Sequence, residues 1–125
     1  MKAAGRRIKG KRLELKWAEM IRESGLDKSA RRRPLSGAEK MMKGYGDIIS
    51  KLPFSFECKN QEGMKQFWHW WEQAESQGSM NRPPIVVFTS NFYPVMVALK
   101  GEIFLDLLKE IEEWKNAYKE ESKKT

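Results

Sequence analysis

Residues 46–60 read Gly46-Asp47-Ile48-Ile49-Ser50-Lys51-Leu52-Pro53-Phe54-Ser55-Phe56-Glu57-Cys58-Lys59-Asn60, and how this stretch folds back on itself decides the architecture. Lys51-Leu52-Pro53 carries a turn signal, so the spacing predicts a β-hairpin centred near Leu52, with Asp47 directly opposite Glu57. The pleat then sends Phe54, Phe56 and Cys58 to one face and Ser55, Glu57 and Lys59 to the other. Asp47, Glu57 and Lys59 are expected on one patch, because cross-strand neighbours lie about 4.5–5.5 Å apart at Cβ. Two carboxylates at that spacing repel unless a cation lies between them, and hard oxygen ligands select Mg²⁺ or Mn²⁺. The Cys58 carbonyl offers a third oxygen, and Lys59 a positive charge near an attacking water. Glu-x-Lys alone is also an ordinary solvated sheet pattern. The facing Asp47, the preceding Gly44-Tyr45-Gly46 and the basic chain around them tilt the balance toward a metal site.

Working outward, Lys11–Ser24 is expected to form a helix, with Leu13, Trp17, Met20 and Ile21 on its apolar stripe and Gly25 as its stop. Residues 1–10 are basic and read as a frayed, flexible start. Residues 26–46 form a long polar connection, a length that in a compact domain marks a functional or a disordered loop; a short strand fits within Ala30–Arg33. Glu62–Ser76 reads as a second helix, whose stripe of Met64, Phe67, Trp68, Trp71 and Ala74 faces the core while His69, Trp70 and Gln73 share another face. His69 stands alone and is not expected to act as a ligand. Ile85–Thr89 and Val95–Leu99 read as strands, and Glu102–Tyr118 as a last amphipathic helix with Ile103, Leu107, Ile111 and Trp114 on its stripe. The order α-(β)-β-β-α-β-β-α, without internal repeats, predicts a mixed α/β domain, a small mixed sheet flanked by helices. One domain spans 11–118, followed by a charged tail, 119–125.

The 125 residues carry a net charge of +7, unevenly placed: residues 1–33 hold twelve Lys/Arg against four acids, and residues 102–125 five against seven. A basic quarter of this kind points to a polyanion, most often nucleic acid, with Arg6, Arg7, Lys9, Lys11, Arg12, Arg31, Arg32 and Arg33 as the candidate phosphate contacts; a solubilising basic tail is the plainer alternative. No apolar run approaches a membrane span, and the basic start lacks the apolar segment of a signal peptide. One cysteine and one histidine exclude an internal disulfide and a structural zinc site. A reduced, cytoplasmic setting is expected, with Cys58 a buried thiol.

Gly46-Asp47 followed by Glu57-Cys58-Lys59 resembles the PD-(D/E)xK nuclease motif, with glycine in place of the nominal proline. Gly10-x-x-x-Glu14 on a basic first helix, and Arg33-Pro34-Leu35-Ser36-Gly37-Ala38 ahead of Gly-Asp-Ile, are similar to the archaeal-type Holliday junction resolvase branch and its phage and prophage relatives. The resemblance covers about residues 10–100. It implies a restriction-endonuclease-like core and a Mg²⁺-dependent endonuclease of DNA recombination or repair that leaves 5′-phosphate ends. It also implies roles for three further residues. Glu14 is the first-helix acid that helps hold the metal directly or through water, with Glu19 as the competing position. Ser36 is the loop serine near the scissile phosphate, and Gln73 the second-helix glutamine. Symmetric cutting of a four-way junction needs two active sites and so a homodimer, for which Trp114, Tyr118, Phe92 and Tyr93 are the candidate apolar contacts.

Overall fold

The computed structural model describes residues 3–34, 44–90 and 93–124, with side chains from Ile8 onward. Its elements follow the expected order: α1 (Ala3–Ser24), β1 (Arg31–Arg32), β2 (Ile48–Ile49), β3 (Ser55–Asn60), α2 (Phe67–Gln77), β4 (Pro84–Thr89), β5 (Met96–Ala98) and α3 (Gly101–Lys123). The fold is a mixed α/β arrangement consistent with a restriction-endonuclease-like core. β3, β4 and β5 form one sheet in that order, β3–β4 parallel and β4–β5 antiparallel. Parallel neighbours need a crossover connection, and α2 supplies it.

β4 reads Pro-Ile-Val-Val-Phe-Thr, and Ile85, Val86 and Val87 are all buried. A strand covered on both faces shows this unbroken apolar run. On one face Ile85 and Val87 join Phe56 and Cys58 of β3 against Leu13, Ala18 and Ile21 of α1. On the other, Val86 meets Trp70 and Ala74 of α2. The sheet is thus the middle layer between two helices. Trp17 packs edge-on against Phe56 with ring centroids 5.6 Å apart, and Phe67 against Phe88 at 6.0 Å.

Several helix boundaries differ from the expected ones. α1 begins at Ala3 rather than Lys11, and α3 continues to Lys123. α2 begins at Phe67, five residues later than its periodicity proposed. Its faces also differ from the expected ones: Trp70, expected on the polar side, is buried at 2 % exposure, whereas Trp68, expected in the core, is 73 % exposed. Phe67, Trp70 and Ala74 lie at i, i+3 and i+7, which is the stripe a short helix can lay across β3 and β4.

The predicted hairpin does not form. β2 pairs antiparallel with β1, Arg31 opposite Ile49 and Arg32 opposite Ile48, and Glu57 lies opposite Val86 of β4, not Asp47. The turn's backbone groups are engaged elsewhere. Pro53 has no N–H, and the Phe54 N–H donates to the Leu52 carbonyl at 2.8 Å. The Arg82 guanidinium donates to the carbonyls of Ser50 (2.7 Å) and Leu52 (2.6 Å). Asp27 accepts from the Lys51 N–H at 2.7 Å; bonds from the Ser29 hydroxyl and this N–H hold its carboxyl down to about 2. What remains of the pairing is one parallel bridge between Gly46 and Phe56.

That bridge explains the glycine. Gly46 has φ +59°, and a Cβ there would overlap the Phe56 carbonyl. Proline, fixed near φ −65°, cannot adopt this backbone, so glycine at the motif's proline position is a steric requirement. Gly46→Ala is expected to destabilise the fold by about 3 kcal/mol or more, from left-handed strain plus the clash, read as a lower urea midpoint at unchanged slope.

Candidate active site

The acid-bearing segment meets β3 along the edge that β4 leaves open. The Asp47 N–H donates to the Phe56 carbonyl at 2.7 Å, and the Cys58 N–H donates to Asp47 Oδ2 at 2.8 Å. In a strand the N–H and C=O of one residue project to the same edge. The Cys58 carbonyl therefore faces the edge where Asp47 sits. The Cys58 side chain points into the core as expected, and burial pushes its thiol well above the ordinary range. Glu57 and Lys59 alternate with it, and Lys59 Nζ lies 3.9 Å from Glu57 Oε1.

Three acids share this edge. Glu57 is pushed up to about 7, first by burial and then by the Asp47 carboxylate, with Lys59 pulling the other way. Asp47 is also raised, chiefly by burial, against the Cys58 N–H and the charges of Lys59, Arg33 and Arg32. Glu14 of α1 is raised by burial and by Asp47. The structure thus brings Glu14 into the cluster, whereas Glu19, the competing position, is exposed. Arg32 reaches inward and donates from Nε to Glu14 Oε2 at 2.5 Å.

The basic run 31–33 is divided by its place in the fold. Arg31 is exposed and donates to the Ser29 carbonyl. Arg32 is bound to Glu14, and Arg33, whose N–H donates to the Asp47 carbonyl at 2.7 Å, lies within the field of the acids. Strand alternation in β1, together with an acid on the neighbouring helix, was the signal that one arginine would turn inward. On α1, Lys9 lies 3.8 Å from Glu62, its carbonyl accepts from Asn60, and Lys11 and Arg12 are exposed. Gln73 is exposed on α2, and its backbone carbonyl accepts from Ser76; no described side-chain bond ties it to the acids. Ser36 and Phe92, and the side chains of Arg6 and Arg7, lie outside the described residues.

The donor set fits a hard divalent cation. Among the described residues no three Asp, Glu, His or Cys side chains form a ready-made metal cage. Mg²⁺ does not ask for one, since it keeps several waters and is held by one or two carboxylates plus substrate phosphates. Two half-buried carboxylates, both with raised proton affinity, and a backbone carbonyl on the same edge are such a set. The clefts of about 500–580 Å³ lie elsewhere, lined largely by apolar side chains. An open edge suits an extended polyanion better than a closed cavity.

A family model described as phage putative PDDEXK endonuclease matches residues 5–125. The chain belongs to this family. It is a nuclease of the PD-(D/E)xK type, with phage relatives, as its motif led one to expect. No curated protein and no solved structure matches it. Nucleases of this type use divalent metals and act on nucleic acid, and among the described residues no helix is long and apolar enough to cross a membrane.

The raised carboxyls make stability depend on pH. A carboxyl whose folded pKa exceeds its unfolded value holds a proton that the unfolded chain releases, so stability is lost as pH rises through that window. For Glu57 the window runs from 4.5 to about 7; Asp27 titrates below it. The metal-free protein is expected to melt on the order of 5 °C lower at pH 8 than at pH 5.5. Mg²⁺ or Ca²⁺ restores the difference at pH 8 and adds little at pH 5.5. Glu57→Gln reduces both effects, and a melting temperature independent of pH and cation would refute the electrostatic account.

Proposed function

We propose that this nuclease is a Mg²⁺-dependent, structure-selective DNA endonuclease acting on branched DNA, most specifically a Holliday junction resolvase of recombination or repair. The observation that carries the reading is the convergence of half-buried Asp47 and Glu57, both with raised proton affinity, on one edge of β3, rimmed by Lys59, Arg32 and Arg33. Asp47, Glu57 and the Cys58 carbonyl would hold the Mg²⁺, with Mn²⁺ able to substitute and Glu14 assisting directly or through water. When bound, the cation polarises the phosphate and lowers the pKa of the attacking water.

The chain's own residues do the rest. Lys59 orients the water and stabilises the negative charge that develops on phosphorus. Water attacks in line and the 3′-oxygen departs, leaving a 5′-phosphate end. Ser36 stands near the scissile phosphate and Gln73 supports the site from α2. Arg6, Arg7, Lys9, Lys11, Arg12 and Arg31–Arg33 supply the basic surface along which the backbone runs. The working unit is one domain over residues 11–118 inside the cell, and symmetric cutting of a junction calls for a homodimer.

A cleavage assay with Mg²⁺ on a synthetic four-way junction, a flap and a linear duplex tests this. Paired nicks across the exchange point, with little cutting of duplex, are expected. Equal cutting of linear duplex would instead make it a restriction-like or repair nuclease, and intact binding without cleavage of any DNA would make it a silent DNA-binding member of its family. Asp47→Asn and Glu57→Gln are expected to lower cleavage at least 10³-fold while leaving junction binding equal or tighter, because a negative charge near phosphates is removed. Arg31→Ala is expected to flatten the salt dependence of DNA binding by about one unit of slope, without changing cation affinity; an unchanged slope assigns Arg31 to solvation.

A further inference from the structure

α3 stands apart from the rest of the molecule. None of its 23 residues is buried, although Phe104, Leu108, Ile111, Trp114 and Tyr118 are large and apolar and all at least 41 % exposed. Its attachment is local to its start, where Lys100 pairs with Glu75 at 3.5 Å and Ile103 lines a cleft with Pro83 and Pro84. A helix of this length gains most of its stability by burying an apolar stripe, and here the chain's own body covers almost none of it.

The sequence of α3 says what covers it. Phe104, Leu107, Ile111, Trp114 and Tyr118 follow spacings of 3, 4, 3 and 4, the a and d positions of a heptad repeat. In that register Glu110 takes position g and Lys115 the following e. In a parallel pair each g residue meets the partner's next e residue, so Glu110 of one copy faces Lys115 of the other, twice by symmetry, and Ile103 faces Leu108. An antiparallel pair sets e against e and g against g, which places these charges opposite apolar side chains instead. The helix carries seven acids against four lysines, which disfavours DNA as the occupant and lacks the basic polar face of a membrane-surface helix.

The geometry points to a second copy of this chain as the occupant: α3 pairs in parallel with α3 of another protomer through a short coiled coil, Glu110 against Lys115. Both sheet bodies then hang at the same end of the pair, each attached through Lys100. The inference does not use the nuclease reading. A dimer that cleaves nothing, or a monomer that cleaves, would separate the two.

The full chain, analysed by sedimentation across a concentration series, should give twice the 14.7 kDa protomer mass. Ile111→Lys should give a monomer that keeps its cooperative melting transition, since Ile111 is no part of the core. Glu110→Lys alone and Lys115→Glu alone should each weaken the dimer about tenfold. Mixing those two variants should restore wild-type strength, because both contacts between positions 110 and 115 in the heterodimer are again of opposite sign. A monomer at every concentration overturns the inference and leaves the stripe to another protein. A dimer that survives Ile111→Lys, or charge reversals that mixing does not rescue, overturns it as well.

Discussion

The hydrogen bond from the Cys58 N–H to Asp47 Oδ2 is the constraint from which the site follows. It is made by a backbone group whose side chain is locked in the core, so the carboxylate is referenced to the sheet and not to a loop. A strand-edge donor has no rotamers to lose, and a bond to a charged acceptor is among the stronger ones. Once Asp47 is fixed there, Glu57 and Lys59 are brought to it by nothing more than the alternation of a strand. Gly46 is the accommodation this requires, because the chain must pass within bridging distance of the Phe56 carbonyl before presenting the acid.

Much of this was legible in the sequence, for reasons that differ by element. Alternation in 54–59 identified β3 correctly, because Phe56 and Cys58 against Glu57 and Lys59 is a two-residue period that only a strand satisfies. β4 was equally plain from its β-branched run. The hairpin was misread because a turn signal reports that the chain bends, not which backbone groups the bent chain will satisfy. Those of residues 50–52 are taken by Asp27, 24 residues before, and by Arg82, 30 to 32 residues after. The acids met anyway, through a side-chain bond that no pattern encodes. On α2, four aromatics in five residues make the apolar face ambiguous by one position, and the sheet's choice of Trp70 over Trp68 is tertiary.

The basic quarter also acquires structure that a charge count hides. Arg32 and Arg33 stand within the field of Glu14, Asp47 and Glu57, so part of the positive excess balances the acids internally. The exposed remainder lies on α1 and at Arg31. Three cations against three acids leave the edge close to neutral overall, yet burial still raises every one of those acids. Desolvation, not net charge, is what raises their proton affinity.

Arg82 has a consequence for the order of folding. Its guanidinium caps the carbonyls of Ser50 and Leu52 and stacks 3.8 Å over the ring of Tyr45, tying the approach to Asp47 to the entry of β4. The acid segment is therefore not a self-sufficient local hairpin; its shape is completed by a residue that follows the whole of α2. Loop closure over such separations is slow relative to local contacts. The edge that bears the acids is thus complete only once Arg82, beyond the helix crossover, is in place, although a chain emerging from synthesis carries both carboxylates well before that residue.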